Sequence, residues 1–157
     1  MASSFHVKRA LYGQGVFAQQ AFTKGDIVFV VPNRYARISY PQLLRKRNTD
    51  NPLQISPRRY LDWKAPGVLF NHSCAPNLGL TSYPELAFIA LSDIHRGEEL
   101  TWDYSTSIDK DTMCDFECGC GAKTCRKTIG GFKWLPKRLR AWYTKRGVVQ
   151  NYLLKEK

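Results

Sequence analysis

Asn71-His72-Ser73-Cys74-Ala75-Pro76-Asn77 puts an amide, an imidazole and a thiol into four consecutive residues and then closes with a proline turn. A cysteine so close to a histidine suits a redox pair, a nucleophile with its base, or a metal ligand with a polar neighbour, and the loop alone does not choose. The other four cysteines, Cys114, Cys118, Cys120 and Cys125, fall within twelve residues of one another. Cys118-x-Cys120-x4-Cys125 places three thiols in a tight loop, and a tetrahedral zinc ion needs a fourth ligand, which Cys74 can supply from elsewhere in the fold. Such a site is closed, all-sulfur and structural. It would pin the C-terminal segment against the central loop, because thiolate binding to zinc contributes folding free energy directly. Cys114 is a surplus thiol that can replace one of the four, since five ligands do not fit a tetrahedron. Free reduced cysteines are the alternative.

At 157 residues the chain has the size of one domain with a core of its own. It has no apolar run of 18 residues and no basic N-terminus followed by an apolar signal segment. The expectation is a soluble protein, not exported and not in a membrane. Five cysteines, an odd number bunched on one side, fit an intracellular reducing compartment and a metal better than a disulfide framework. Charge is placed unevenly. Residues 1–122 hold 13 Lys and Arg against 12 Asp and Glu, whereas residues 123–157 hold 11 against 1. A tail so basic attracts phosphate or acidic protein surfaces, or else serves as a solvated helix face.

The chain opens with an alternating strand-like run, Phe5 to Ala10, before Tyr12-Gly13-Gln14-Gly15, whose two glycines permit a tight turn or the close approach of something bound. Ile27 to Val31 reads as a buried strand ended by Pro32. From Asn33 to Pro57 the pattern loosens. Tyr40 to Asn48 fits a short helix with Ser39 as cap, Pro41 in its first turn, and Leu43 and Leu44 facing inward. Pro52 to Ser56 and Tyr60 to Trp63 are short apolar pieces. Asn77 to Thr81 and Leu86 to Leu91 read as paired strands, and Lys137 to Asn151 as a helix stopped near Gly147, with Leu139, Trp142 and Tyr143 on its inner side. Many short strands separated by turns predict a mainly β domain with short α elements.

Five stretches occur in order between about residues 5 and 130. They are Gly13-Gln14-Gly15-Val16-Phe17-Ala18, Lys24-Gly25-Asp26, the Asn71–Asn77 loop, Gly97-Glu98-Glu99-Leu100-Thr101-Trp102-Asp103-Tyr104, and Cys118-Gly119-Cys120-Gly121-Ala122-Lys123-Thr124-Cys125-Arg126-Lys127. Together they resemble the SET-domain protein-lysine methyltransferases with their post-SET zinc segment, in a minimal, stand-alone form. The resemblance implies a SET domain over 1–113, a post-SET zinc-binding segment over 114–130 and a basic C-terminal helical extension over 131–157. It also implies a fold of several small sheets with a pseudoknot, in which the strand leading to Tyr104 passes beneath the central loop.

By the same resemblance, the Gly-x-Gly turn makes Gly13, Gln14 and Gly15 backbone ligands for the methionine end of S-adenosylmethionine. Asn71 and His72 match the pair that hydrogen-bonds this cofactor, so His72 is not expected to be a base. Tyr104 matches the active-site tyrosine, Trp102 stands with it at the lysine channel, and Ile129 or Phe132 would cover the adenine. Cys74, Cys118, Cys120 and Cys125 match the ligands of one structural zinc ion. The implied partner is a protein presenting a target lysine, a histone by default, with the basic tail as a contact for nucleic acid or a nucleosome. The implied place is the nucleus or chromatin in a eukaryote and the cytoplasm in a bacterium.

The chain departs from the family at three points. Trp102 replaces a frequent Phe or Tyr, Val68 stands where an arginine often meets the cofactor carboxylate, and Val30-Val31 replaces a Glu-Tyr pair near the lysine channel. Two other classes remain open on the sequence. One is a non-catalytic, zinc-stabilised SET-like module; the other is a zinc-stapled protein that binds nucleic acid or chromatin through its basic tail.

Overall fold

The computed structural model describes residues 4–11, 13–46, 52–109 and 116–155. Cys114, Tyr12 and the end of the helix expected to reach Asn48 lie outside the described residues. The described strands all pair antiparallel, in four small sheets. The mainly β expectation with short helices holds.

β1 (Phe5–Arg9) and β2 (Gln14–Ala18) form a hairpin in which Arg9 faces Gln14 and Phe5 faces Ala18. Gly13 makes the turn at φ +70°, a left-handed conformation that glycine adopts without steric cost. β3 (Ile27–Val30), β7 (Leu78–Leu80) and β8 (Ala87–Ala90) form a sheet in the order β3-β8-β7. β3 is not the fully buried strand expected of it. It lies at a sheet edge with one face covered, so Val28 and Val31 are buried while Ile27 and Val30 are 64% and 62% exposed.

The third sheet, ordered β4-β6-β5, joins β4 (Ala36–Ser39), β5 (Leu53–Ser56) and β6 (Arg59–Asp62). β4 falls in the stretch whose pattern loosened. Only Ile38 of its four residues is buried, so the strand carries no alternation to read. Ser39 then caps α1 (Tyr40–Leu44), with its backbone N–H donating to Gln42 Oε1 at 2.7 Å. The helix has no buried residue and Leu44 is 66% exposed, so Leu43 and Leu44 do not anchor it inward as expected. So short a helix sits on the rim of its sheet and is fixed by its cap.

Phe70, Phe88 and Trp102 sit at the middle of the core, with the Phe70 and Phe88 rings 4.4 Å apart. A second core collects Leu91, Phe132, Leu135, Tyr143, Val148, Val149 and Leu153 under the C-terminal segment. That segment forms α2 (Lys137–Lys145), a stop at Gly147 with φ +67°, and α3 (Asn151–Leu154), in place of one helix to Asn151. A Cβ on Gly79 of β7 would lie 2.4 Å from Val148, so the bare glycine lets the chain beyond Gly147 press onto the sheet. Gln150 seals the contact, donating to Thr81 O at 2.9 Å and accepting from the Tyr83 N–H at 3.1 Å. None of the described helices is long and apolar enough to cross a membrane.

The element that organises the site is a crossing. The backbone from Glu99 to Tyr104 lies between the two limbs of the Asn71–Leu78 loop and bonds to both. On one side the Trp102 N–H donates to Asn71 O at 3.0 Å and the Ser73 N–H to Trp102 O at 3.1 Å. On the other, the Leu78 N–H donates to Thr101 O at 2.9 Å. The Asn77 side chain adds bonds to Glu99 O and from the Thr101 N–H. Beyond it, β9 (Phe116–Glu117) and β10 (Thr128–Ile129) pair as a clasp around the cysteine loop.

Candidate active site

The crossing brings Asn71, His72, Trp102 and Tyr104 together, although about thirty residues separate the two pairs in sequence. Asn71 Nδ2 donates to Gln14 O at 3.0 Å and to Glu99 Oε1 at 2.8 Å, tying the first hairpin to the crossing strand. Gly15 is needed for this approach, because a Cβ there would stand 2.5 Å from Glu99 Oε1 and 2.9 Å from Asn71 Nδ2. In the sequence Glu99 stands inside the stretch of residues 97–104 with no role of its own. Its role beside Asn71 emerges once the loop and strand cross.

His72 is neutral. Burial pushes its pKa down to about 4 despite the nearby Asp103. Its Nδ1 accepts the Tyr104 N–H at 3.2 Å, which puts the ring proton on Nε2, 3.3 Å from Cys74 Sγ. The imidazole therefore links the Cys74 loop to the backbone of Tyr104. Asp103 Oδ1 lies 3.6 Å from Nδ1, too far for a hydrogen bond and facing a lone pair.

Tyr104 is half-buried, and its hydroxyl donates to Phe70 O at 3.1 Å. The same carbonyl accepts Trp102 Nε1–H at 3.0 Å, and the two rings are 4.9 Å apart. Burial, aided by the Glu99 carboxylate, pushes the Tyr104 pKa up to about 12, so the phenol stays protonated.

A cleft of about 650 Å³ opens on Asn71, His72 and Tyr104 and continues along Cys118, Lys127, Thr128 and Ile129. Gln14 and Gly15 are brought against Asn71, and neither they nor Gly13 is part of this lining. Of the two residues expected over the adenine, only Ile129 reaches the cleft. Phe132 is 4% exposed and packs in the second core, because its N–H bonds Ile108 O and turns it toward Leu135 and Tyr143.

The ligand atoms of His72, Cys74, Cys118 and Cys120 lie within 4.8 Å of one another. Cys125 stands beside them, with its thiol 3.2 Å from Cys118 O and its side chain in contact with those of Cys118 and Cys120. The donor set fits zinc. Zn–S bonds of about 2.3 Å in a tetrahedron hold sulfurs about 3.8 Å apart, and Cys74 and Cys118 are 3.7 Å apart. Backbone N–H groups of Cys74, Arg126 and Lys127 point at Cys120, Cys74 and Cys125 sulfurs, each at 3.4 Å, as thiolates require. Burial raises the Cys120 pKa, but the backbone N–H groups of Cys74 and Ala122 and the thiols of Cys118 and Cys125 outweigh it and pull it down to about 6.

Known proteins share this arrangement of sequence. The SET domain family matches residues 13–105, more than half of the chain. Histone-lysine N-methyltransferase 2B of Homo sapiens is 42% identical over 135 residues, which covers 78% of this chain and 5% of the relative. Histone-lysine N-methyltransferase SETDB2 of Xenopus laevis is 38% identical over 72 residues, 40% of this chain and 10% of the relative. The Mycosarcoma maydis histone-lysine N-methyltransferase described as H3 lysine-36 specific is 32% identical over 87 residues, 50% of this chain and 9% of its own. The chain thus spans a tenth or less of the length of these relatives.

Proposed function

Since the chain belongs to the SET-domain family, we propose that it is a protein-lysine methyltransferase that moves a methyl group from S-adenosylmethionine to the side-chain amine of a lysine. The observation that carries this reading is the convergence of Asn71, His72 and Tyr104 on one cleft at the crossing. At about 650 Å³ the cleft has the size of a cofactor site. Asn71, His72 and Ile129 would hold the cofactor there, with the Gly13–Gly15 backbone at its edge. When bound, S-adenosylmethionine supplies a methyl group on a cationic sulfur.

The chain's own part is alignment and control of protonation. The Tyr104 hydroxyl donates to Phe70 O, which leaves its oxygen lone pairs to accept an N–H of the incoming amine and aim the nitrogen. Trp102, locked on the same carbonyl and 3% exposed, does not reach the cleft itself; its ring packs 4.9 Å from that of Tyr104 and backs it from the core. A half-buried site of this kind disfavours the charged ammonium, so the neutral nucleophile is the form it selects. Neutral His72 has no proton-transfer duty; it holds the Tyr104 backbone and donates its Nε2–H toward Cys74.

A structural zinc ion would be held by Cys74, Cys118, Cys120 and Cys125. His72 is not offered as the fourth ligand because its Nε2 carries the proton and has no free lone pair for a metal. The names of the relatives support a histone-type substrate and a place at chromatin, and the basic tail is the surface that would meet nucleosomal phosphate.

The test incubates the zinc-loaded chain with radiolabelled S-adenosylmethionine and arrays of histone and non-histone peptides. Products are read by mass to separate one, two and three methyls. Label on lysine, incorporated about a hundredfold more slowly in Tyr104→Phe, is the expected result. Failure to bind S-adenosylhomocysteine in calorimetry would end the assignment.

A further inference from the structure

Asp103 is 1% exposed, and its partners come from segments far apart in the chain. Its Oδ1 accepts from Arg126 Nη2 at 2.7 Å and from the Ser105 N–H at 3.1 Å, and its Oδ2 accepts from the Tyr143 hydroxyl at 2.9 Å. Arg126 follows the last cysteine of the metal-binding segment. Tyr143 lies on α2, beyond residues 13–105 where the family matches. A buried carboxylate is tolerated only when its charge is paired and its lone pairs are filled, and these two side chains meet both needs.

We propose that Tyr143 is a positioning residue for the active site: by fixing the Asp103 carboxylate together with Arg126, it fixes the backbone on either side, and so the placement of Tyr104. Trp102, just before Asp103, carries the bonds to the loop limb at Asn71 and Ser73; Tyr104, just after it, gives its N–H to His72. The influence runs through the backbone, since Asp103 makes no hydrogen bond to His72. Burial and the adjacent carboxylate push the Tyr143 pKa up, so its hydroxyl remains a donor. The C-terminal helix is then part of the catalytic apparatus. The link to catalysis rests on the methyltransferase reading; the coupling between α2 and Tyr104 does not.

Tyr143→Phe removes the hydroxyl and keeps the ring in its core. In the full zinc-loaded chain without donor or substrate, amide exchange of Tyr104 should quicken about tenfold, in keeping with the removal of one hydrogen bond to a charged group, while the α2 amides keep their protection. With donor and peptide, kcat should fall about tenfold with KM unchanged. An unchanged Tyr104 amide, or one that quickens only together with loosened α2 amides, would overturn the proposal. Should the Phe variant not fold, Arg126→Lys, checked for full zinc content, reads the same coupling from the other carboxylate oxygen. A Tyr104 amide that responds in a chain showing no methyl transfer would retain the coupling and dismiss the enzyme.

Discussion

At Tyr104 the hydroxyl is committed to Phe70 O and the phenol is kept neutral, its pKa pushed up to about 12 by burial beside Glu99. A raised pKa of this kind contributes stability in full below the unfolded tyrosine value of about 10, and that stability fades as pH climbs from there toward 12. Tyr104 therefore does not titrate in the range of an assay. We expect kcat/KM to rise with pH along the ionisation of the substrate lysine, about 10.4 when unperturbed. Tyr104→Phe should keep that rise while kcat drops about a hundredfold from poorer alignment; pH-rate profiles of both proteins decide it. Gly15→Ala tests the neighbouring approach. Its Cβ would displace Glu99 and the Asn71 amide, at a cost of about 1–3 kcal/mol for overpacking. Thermal unfolding should register the cost, and S-adenosylhomocysteine affinity in calorimetry should fall with it. The cysteines were legible from their spacing, and Asn71, His72 and Tyr104 from the ordered stretches that carry the family resemblance. Asp103, Glu99 and the Phe70 carbonyl were not, because each acquires its role from a partner distant in sequence, such as Arg126, Asn71 or Tyr104.

The cysteine clasp joins elements too short to stay folded by their own pairing. β9 and β10 are two residues each, too short to persist as an isolated pair. Chelation of zinc should therefore lower the thermal midpoint and expose the β9–β10 amides to exchange while the β3-β8-β7 sheet stays protected. The same clasp separates the two candidate ligand sets. Cys125→Ser should cut bound zinc well below one ion per chain, whereas His72→Gln should retain it, as measured by metal analysis after gel filtration. The reverse would place the fourth bond on His72. Spacing pointed to a candidate set of sulfur ligands here, with Cys114 able to replace one of them, since a metal imposes its geometry on sequence. Strands followed a different rule: β5, β6, β7 and β8 announced themselves by apolar content, while β4 and the exposed residues of β3 are edge features set by which neighbour the fold provides.

Over the whole molecule, charge and packing divide the C-terminal segment between two duties. Residues 123–157 carry nearly all the excess positive charge, yet the inner face of α2 belongs to the second core, and Arg146 is stacked 3.7 Å over Trp142. Arg146 and half-buried Arg140 are thus partly structural, and reversing them would mix folding with charge. Lys137, Arg138 and Lys145 are exposed and free of that ambiguity. If the tail meets nucleosomal phosphate, reversing these three to Glu should leave turnover on a histone peptide unchanged, since none of them lines the cleft. Turnover on nucleosomes at low salt should fall, and the salt slope of nucleosome binding should become shallower by roughly 0.9 for each phosphate that is no longer neutralised. An equal fall on peptide and nucleosome would locate the charge effect in the fold, and no fall on either would leave the basicity as a solvated surface.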